Sequence, residues 1–159
     1  MTNKMNFLPI SINLTDKKIL LIGGGTIACH KIGFLEPYTR NIAVVAIRVM
    51  DEIKEKGYTW VEKAYEKSDL EGAFLVYACT NHTDLNLQIK EDAHRSGILV
   101  NLVDNPAHCD FVSPAIYKYN HMTVAVGSNG QDVYRSIALR NKIKEYLEHD
   151  PAIFYQPVK

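Results

Sequence analysis

The feature that most restricts the fold is the stretch Lys18-Ile19-Leu20-Leu21-Ile22-Gly23-Gly24-Gly25-Thr26-Ile27-Ala28, an apolar run that breaks into three glycines and resumes with helical spacing. So short and apolar a run reads as a strand covered on both faces. Ala28, Ile32 and Leu35 then recur at steps of four and three, the inner stripe of a helix that Pro37 closes. The local architecture is therefore strand, glycine turn, helix. The spacing Gly23-x-Gly25-x-x-Ala28 fits the dinucleotide fingerprint: the first glycine makes the tight turn, the second admits a pyrophosphate close to the backbone, and the small third residue lets helix and strand pack. Free N–H groups where the helix begins, at Thr26 and Ile27, form an anion site aided by the helix dipole.

The alternation continues along the chain. Residues 42–47 are a continuous apolar run, 50–56 a short charged surface helix ended by Gly57, and 58–61 a third strand. A brief helical turn at 68–70 precedes a fourth strand at 73–79. Leu85, Ile89 and Ala93 mark a helix stopped at Gly97, and 98–103 is a fifth strand. Residues 122–126 make a sixth, and Leu139, Ile143, Tyr146 and Leu147 give residues 132–148 an amphipathic face that Asp150-Pro151 terminates. Residues 8–14 alternate as an edge strand or extended lead-in would. Strands alternating with helices predict a Rossmann-like α/β fold, a doubly wound parallel sheet of order 3-2-1-4-5-6.

A chain of 159 residues suits one domain, residues 1–148, with a short tail at 149–159. Basic and acidic residues balance at 18 each, so no global field favours nucleic acid or an acidic membrane surface, and an anionic substrate must be met locally. Cys29, Cys79 and Cys109 are odd in number and lack a CxxC pair, which points to a reducing, cytoplasmic setting. No segment approaches the length that crosses a bilayer, so the protein is expected to be soluble.

Ligands of an open parallel sheet lie beyond the carboxyl ends of the strands. The loops there are Gly23 to Thr26, the segment after Ile47, Thr80-Asn81-His82-Thr83, the stretch from Asp104, and Ser128 to Gly130. The acidic residue that ordinarily takes the adenosine ribose is missing: the second strand ends Ile47-Arg48. Arg48 is either a solvated surface residue or a group that tolerates a 2′-phosphate, and the choice between NAD and NADP stays open. Asp104, flanked by Asn101, Asn105 and Pro106, either caps a turn or stands where it accepts a proton as a hydride leaves. His108-Cys109-Asp110 lacks metal-ligand spacing, so no metal site is expected. No hydrolase motif is present. Arg135, Arg140, Lys142 and Lys144 are a basic cluster on the last helix, which a solvated helix face also explains.

Taken together, Leu8-Pro9-Ile10, Gly23-Gly24-Gly25-x-x-Ala28-x-x-Lys31, Ala78-Cys79-Thr80-Asn81, Asn101-Leu102-Val103-Asp104-Asn105-Pro106 and Phe111-x-Ser113-Pro114-Ala115 resemble precorrin-2 dehydrogenase, the NAD-dependent module of siroheme synthases, in order over about residues 5–148. The resemblance implies oxidation of precorrin-2 to sirohydrochlorin with hydride passing to NAD, a catalytic role for Asp104, and a homodimer. Some members also insert ferrous iron, and a non-catalytic NAD(H)-binding subunit of a tetrapyrrole pathway complex is the alternative from a different class. A polycarboxylate macrocycle needs local cations and N–H donors, for which Asn105, Lys118, His121, Ser128, Arg135 and Arg140 are candidates by position. Two departures stand out: Gln131-Asp132-Val133-Tyr134-Arg135 replaces the family's Ser-Pro turn, and only Pro151 to Lys159 follows the last helix where members continue into a helical region.

Overall fold

A computed structural model describes residues 5–103, 105–150 and 152. The chain forms two compact units. One comprises Ile10–Phe111; the other contains residues 5–9 with the described residues from Val112 onward.

The first unit is a five-stranded parallel sheet of β1 (Lys18–Ile22), β2 (Ile42–Ala46), β3 (Thr59–Glu62), β4 (Ala73–Ala78) and β5 (Leu99–Leu102), in the order β3-β2-β1-β4-β5. In register, Leu21 stands beside Val44 on one side and Tyr77 on the other. Because side chains alternate across a strand, Ile19 and Leu21 face one layer and Leu20 and Ile22 the other. The first layer holds Ala28, Ile32 and Leu35 of α1 (Thr26–Leu35) and Ile53 of α2 (Asp51–Glu55). The second holds Ile89 and Ala93 of α3 (Thr83–Arg95) with Val76, Ala78 and Val100. Helices on both faces explain why β1 reads as an unbroken apolar run: Ile19 to Ile22 are at most 2% exposed. Gly97, at φ +69°, ends the connection after α3 in a conformation that L side chains rarely adopt.

The sixth strand departs from expectation. It is β7 (Met122–Val126), and it pairs antiparallel with β6 (Ala115–Tyr119) in a separate two-stranded sheet rather than extending the parallel one. Joining β5 to a parallel neighbour needs a crossover of about a dozen residues or more, usually a helix. Among the described residues between Leu102 and Ala115 the only helical element is a 3₁₀ turn, Pro106–His108. Tyr119 instead pairs directly with Met122 across a two-residue turn, Asn120-His121, with Asn120 at φ +50°. Asn tolerates that left-handed region, and turns of this length close hairpins. Residues 8–14 form no strand.

In the second unit α4 (Val133–His149) packs on this hairpin. Asp132 caps it, its Oδ1 accepting the Arg135 N–H at 2.8 Å. The Arg140 guanidinium donates to the Ile116 carbonyl, and Lys144 Nζ sits 6.0 Å above the Tyr117 ring. The loop before α4 is tied to residues 5–9: Phe7 N–H donates to Asn129 Oδ1 at 2.6 Å, and Asn129 Nδ2 donates to the Met5 carbonyl.

Candidate functional site

The glycine turn follows β1, where each glycine meets a different constraint. Gly23 has φ +117°, and a Cβ there would lie 2.5 Å from the Cys79 carbonyl oxygen. A Cβ on Gly24 would lie 2.6 Å from the Arg48 oxygen and 2.8 Å from Val49 Cα. Gly25, the N-cap of α1, differs: a Cβ there meets no atom within 4 Å. Gly23 and Gly24 are required by the packing of the protein on itself. Gly25 is not, so its lack of a side chain leaves an open cradle at a helix N-terminus, where a pyrophosphate fits.

Beside the cradle is a cavity of about 720 Å³. Of the sequence candidates, Gly23, Gly24, Gly25, Ile47, Arg48, Thr80 and Asn81 line it. Thr26 and Ile27 open α1, and Ala28, fully buried, packs behind the turn. The loop after β2 is pinned from two sides. Met50 N–H donates to the Gly24 carbonyl at 2.9 Å, and Val49 N–H to Glu62 Oε1 at 2.9 Å. Glu62 also pairs with Lys54 at 2.9 Å; the Val49 N–H, and then Lys54, hold its carboxyl below the usual range.

On the facing wall, Thr80 Oγ1 donates to Asn86 Oδ1 at 2.7 Å, and Asn86 Nδ2 donates to the Thr80 carbonyl at 3.0 Å. Asn86 is 2% exposed on α3, so this buried amide fixes the turn that carries Thr80 and Asn81. It escaped the sequence reading because it interrupts the apolar stripe of its helix; its one signal was its place six residues after the loop threonine. Tyr65 and Leu85 also line the cavity unannounced. The Tyr65 hydroxyl donates to Asp92 Oδ2 at 3.2 Å, and burial, then Asp92, push its pKa up. Tyr65 is thus a neutral aromatic wall with its polar end tied down.

At the end of β5, Asp104 lies outside the described residues; its neighbours do not. Asn105 N–H donates to the Leu102 carbonyl at 3.3 Å, and the Asn105 carbonyl accepts from His108 N–H at 3.0 Å. Cys109 Sγ accepts the Leu102 N–H at 3.1 Å and donates to the Leu102 carbonyl at 3.0 Å, and burial raises its pKa so that it stays a thiol. Asp110 takes His94 Nε2 at 2.8 Å and the Val100 N–H at 2.9 Å. Asn101, 4% exposed, donates from Nδ2 to the Phe111 carbonyl at 2.8 Å. Residues 105–111 therefore fold back onto β5. Phe111 packs edge-on against Tyr77 with centroids 5.4 Å apart, and Lys31 Nζ lies 5.4 Å from the same Tyr77 ring, its pKa lowered by burial.

The remaining substrate candidates lie in the second unit. Lys118 on β6 donates to the Asn120 carbonyl, and His121 is exposed in the hairpin turn. Ser128 Oγ accepts the Asp132 N–H at 2.9 Å. Arg135 is strongly exposed and 3.6 Å from Asp132, whereas Arg140 is engaged with the hairpin backbone.

The comparisons with known proteins agree with this geometry. The chain is 34% identical over 147 residues to a siroheme synthase from Baumannia cicadellinicola subsp. Homalodisca coagulata, and 33% identical over 147 residues to one from Pseudomonas fluorescens (strain SBW25); each match covers 90% of this chain and 32% of the relative. The chain thus spans about a third of the length of these curated relatives. Among solved structures it resembles SirC, precorrin-2 dehydrogenase, with a TM-score of 0.75 and 26% identity, over 88% of this chain and 70% of that one. A family model described as NAD(P)-binding matches residues 10–115, which contain the glycine cradle and the cavity, and the chain belongs to that NAD(P)-binding family.

Proposed function

We propose that the chain catalyses the NAD-dependent oxidation of precorrin-2 to sirohydrochlorin in siroheme biosynthesis, with Asp104 as general base or substrate-positioning group. The observation that carries this reading is the open cradle at Gly25 on a sheet whose β5 is tied through Asn101 to Phe111, in a chain similar to SirC. NAD, when bound, supplies a hydride acceptor. The chain's own part is to bind the pyrophosphate on the N–H groups of Gly25 to Ile27, to seat the adenosine against the loop after β2, and to fix Thr80 and Asn81 through Asn86. A carboxylate at position 104 takes or orients the proton lost as the hydride leaves. Asn105, Lys118, His121, Ser128, Arg135 and Arg140 are the donors offered to the macrocycle's carboxylates.

Homodimerisation, a further part of the proposal, is supported by exposed apolar side chains on α4, among them Val133, Tyr134, Leu139 and Tyr146. A soluble protein of the reducing cytoplasm is supported by three free thiols, Cys29, Cys79 and Cys109. Among the described residues no helix is long and apolar enough to cross a membrane. Anaerobic incubation with precorrin-2 and NAD tests the reaction: NADH absorbance should rise with the sirohydrochlorin spectrum, and Asp104→Asn should retain NAD binding while losing turnover. Tight nucleotide binding with no turnover of precorrin-2 by the wild type would remove the enzymatic reading in favour of a binding subunit.

A further inference from the structure

We propose that this chain takes NADP as well as NAD, with Arg48 as the partner of the adenosine 2′-phosphate. The inference rests on the assignment of the cavity beside the glycine turn as the dinucleotide site. In this fold the group at the end of the second strand discriminates between the two cofactors: a carboxylate accepts from the ribose 2′-hydroxyl, whereas an arginine takes the 2′-phosphate. Here β2 ends at Ala46 and is followed by Ile47 and Arg48, both exposed and both lining the cavity.

The charges around this wall are committed unequally. Lys54 is paired with Glu62 at 2.9 Å, and Lys63 with Asp69 at 2.9 Å and Glu66 at 3.1 Å. Arg48, among the described residues, enters no hydrogen bond or ion pair. Glu62 is the carboxylate that stands beside Ala46, the last residue of β2, in register. It is occupied by the Val49 N–H and by Lys54, and does not line the cavity. Arg48 is thus free of a direct contact, although its charge reaches Glu62 and helps Lys54 hold that carboxyl low, and its base is rigid. Val49 and Met50 are pinned to Glu62 and Gly24, and the Arg48 carbonyl packs so closely on Gly24 that a Cβ there would lie 2.6 Å away. A guanidinium anchored in this way matches the geometry of a phosphate and loses little freedom on binding it. Asp51 and Glu52, the first two residues of α2, also line the cavity and oppose a 2′-phosphate. Their oxygens accept from ribose hydroxyls, which is why both cofactors are expected rather than NADP alone.

Titration of the full chain with NADH and NADPH, followed by nucleotide fluorescence, tests this. The two dissociation constants should lie within about tenfold of each other, and Arg48→Ala should shift their ratio against NADPH by at least about tenfold, the lower end of what a charge-assisted phosphate contact contributes. Arg48→Lys, which keeps the charge and loses the fork, should fall between, and Arg48→Glu should shift the ratio furthest. NADPH weaker than NADH by more than that margin in the wild type, or an unchanged ratio in Arg48→Ala, overturns the proposal. Because the readout is a ratio within one protein, a general loss of stability does not imitate it. Failure of the site assignment itself has a different sign: Gly25→Ala would then leave both nucleotides bound as before.

Discussion

Gly24→Ala and Gly25→Ala make the same chemical change one residue apart, and the structure assigns them opposite consequences. At Gly24 the added carbon would lie 2.6 Å and 2.8 Å from backbone atoms of Arg48 and Val49. Neither can swing aside, because the Met50 N–H on the Gly24 carbonyl and the Val49 N–H on Glu62 hold this loop. Forcing backbones apart by several tenths of an ångström costs about 1–3 kcal/mol as overpacking. For a chain of this size that lowers Tm by roughly 2–12 °C, at about 2–4 °C per kcal/mol. At Gly25 the carbon enters open space, and φ −95° with ψ −164° is a conformation alanine adopts. Alanine is a poorer N-cap than glycine by a few tenths of a kcal/mol or more, and this is offset by about 0.4–1 kcal/mol from the restricted unfolded chain. Tm should therefore stay within about 2 °C of wild type. The methyl group instead occupies the surface against which a pyrophosphate lies, and NADH affinity should fall by at least about tenfold, the scale of one lost charge-assisted contact. Thermal unfolding followed by circular dichroism, with NADH fluorescence titration on the same samples, separates the two effects. Wild-type NADH affinity in Gly25→Ala, or equal destabilisation by the two substitutions, would refute the reasoning.

Asn86→Ala leaves the Thr80 carbonyl and hydroxyl without their buried partner; the expected cost is about 1–3 kcal/mol of stability, seen in denaturant unfolding, together with weaker NADH binding as the Thr80 turn loosens. Glu36, paired with Lys56 at 2.9 Å and accepting the Tyr58 hydroxyl at 2.9 Å, has its pKa lowered by these partners, Lys56 first. Its stabilisation is present above its unfolded pKa and lost as pH falls through the lower folded one, so the Tm difference between wild type and Glu36→Gln should be largest above about pH 5 and shrink as pH drops below about 4. Asn120→Val puts a β-branched residue at φ +50°, where Asn120→Gly is tolerated; proteolysis across residues 115–126 should accelerate in the first variant and not in the second.

The parallel sheet was legible because burial on both faces makes a strand a nearly continuous apolar run, as β1, β2 and β4 are, with β5 broken only by Asn101. The hairpin was not, because β6 and β7 are half exposed and lack such a run. Tyr117-Lys118-Tyr119 alternates too briefly to announce a strand, and Asn120-His121 is not among the dipeptides that announce a tight turn. Residues 122–126 then looked like one more strand of the parallel sheet, although among the described residues after β5 only a 3₁₀ turn precedes the hairpin.

The site divides along the same physical line. That Gly23, Gly24, Gly25, Thr80 and Asn81 line one cavity was legible in the sequence because loop position relative to a strand is a local property. Glu62 and Tyr65 act through partners at sequence distances of 13 and 27, which no local pattern reports, and Asn86, six residues from Thr80, had only that spacing to announce it. Arg48 shows why this matters for function. As a letter in the sequence it is an arginine that a solvated surface explains. What distinguishes it is the direct pairing of its neighbours, Lys54 with Glu62 and Lys63 with Asp69, while Arg48, on a pinned loop beside the cavity proposed for the cofactor, enters no ion pair among the described residues. On the proposed reading, cofactor specificity follows from the pairing of the whole wall rather than from the residue at the expected position alone.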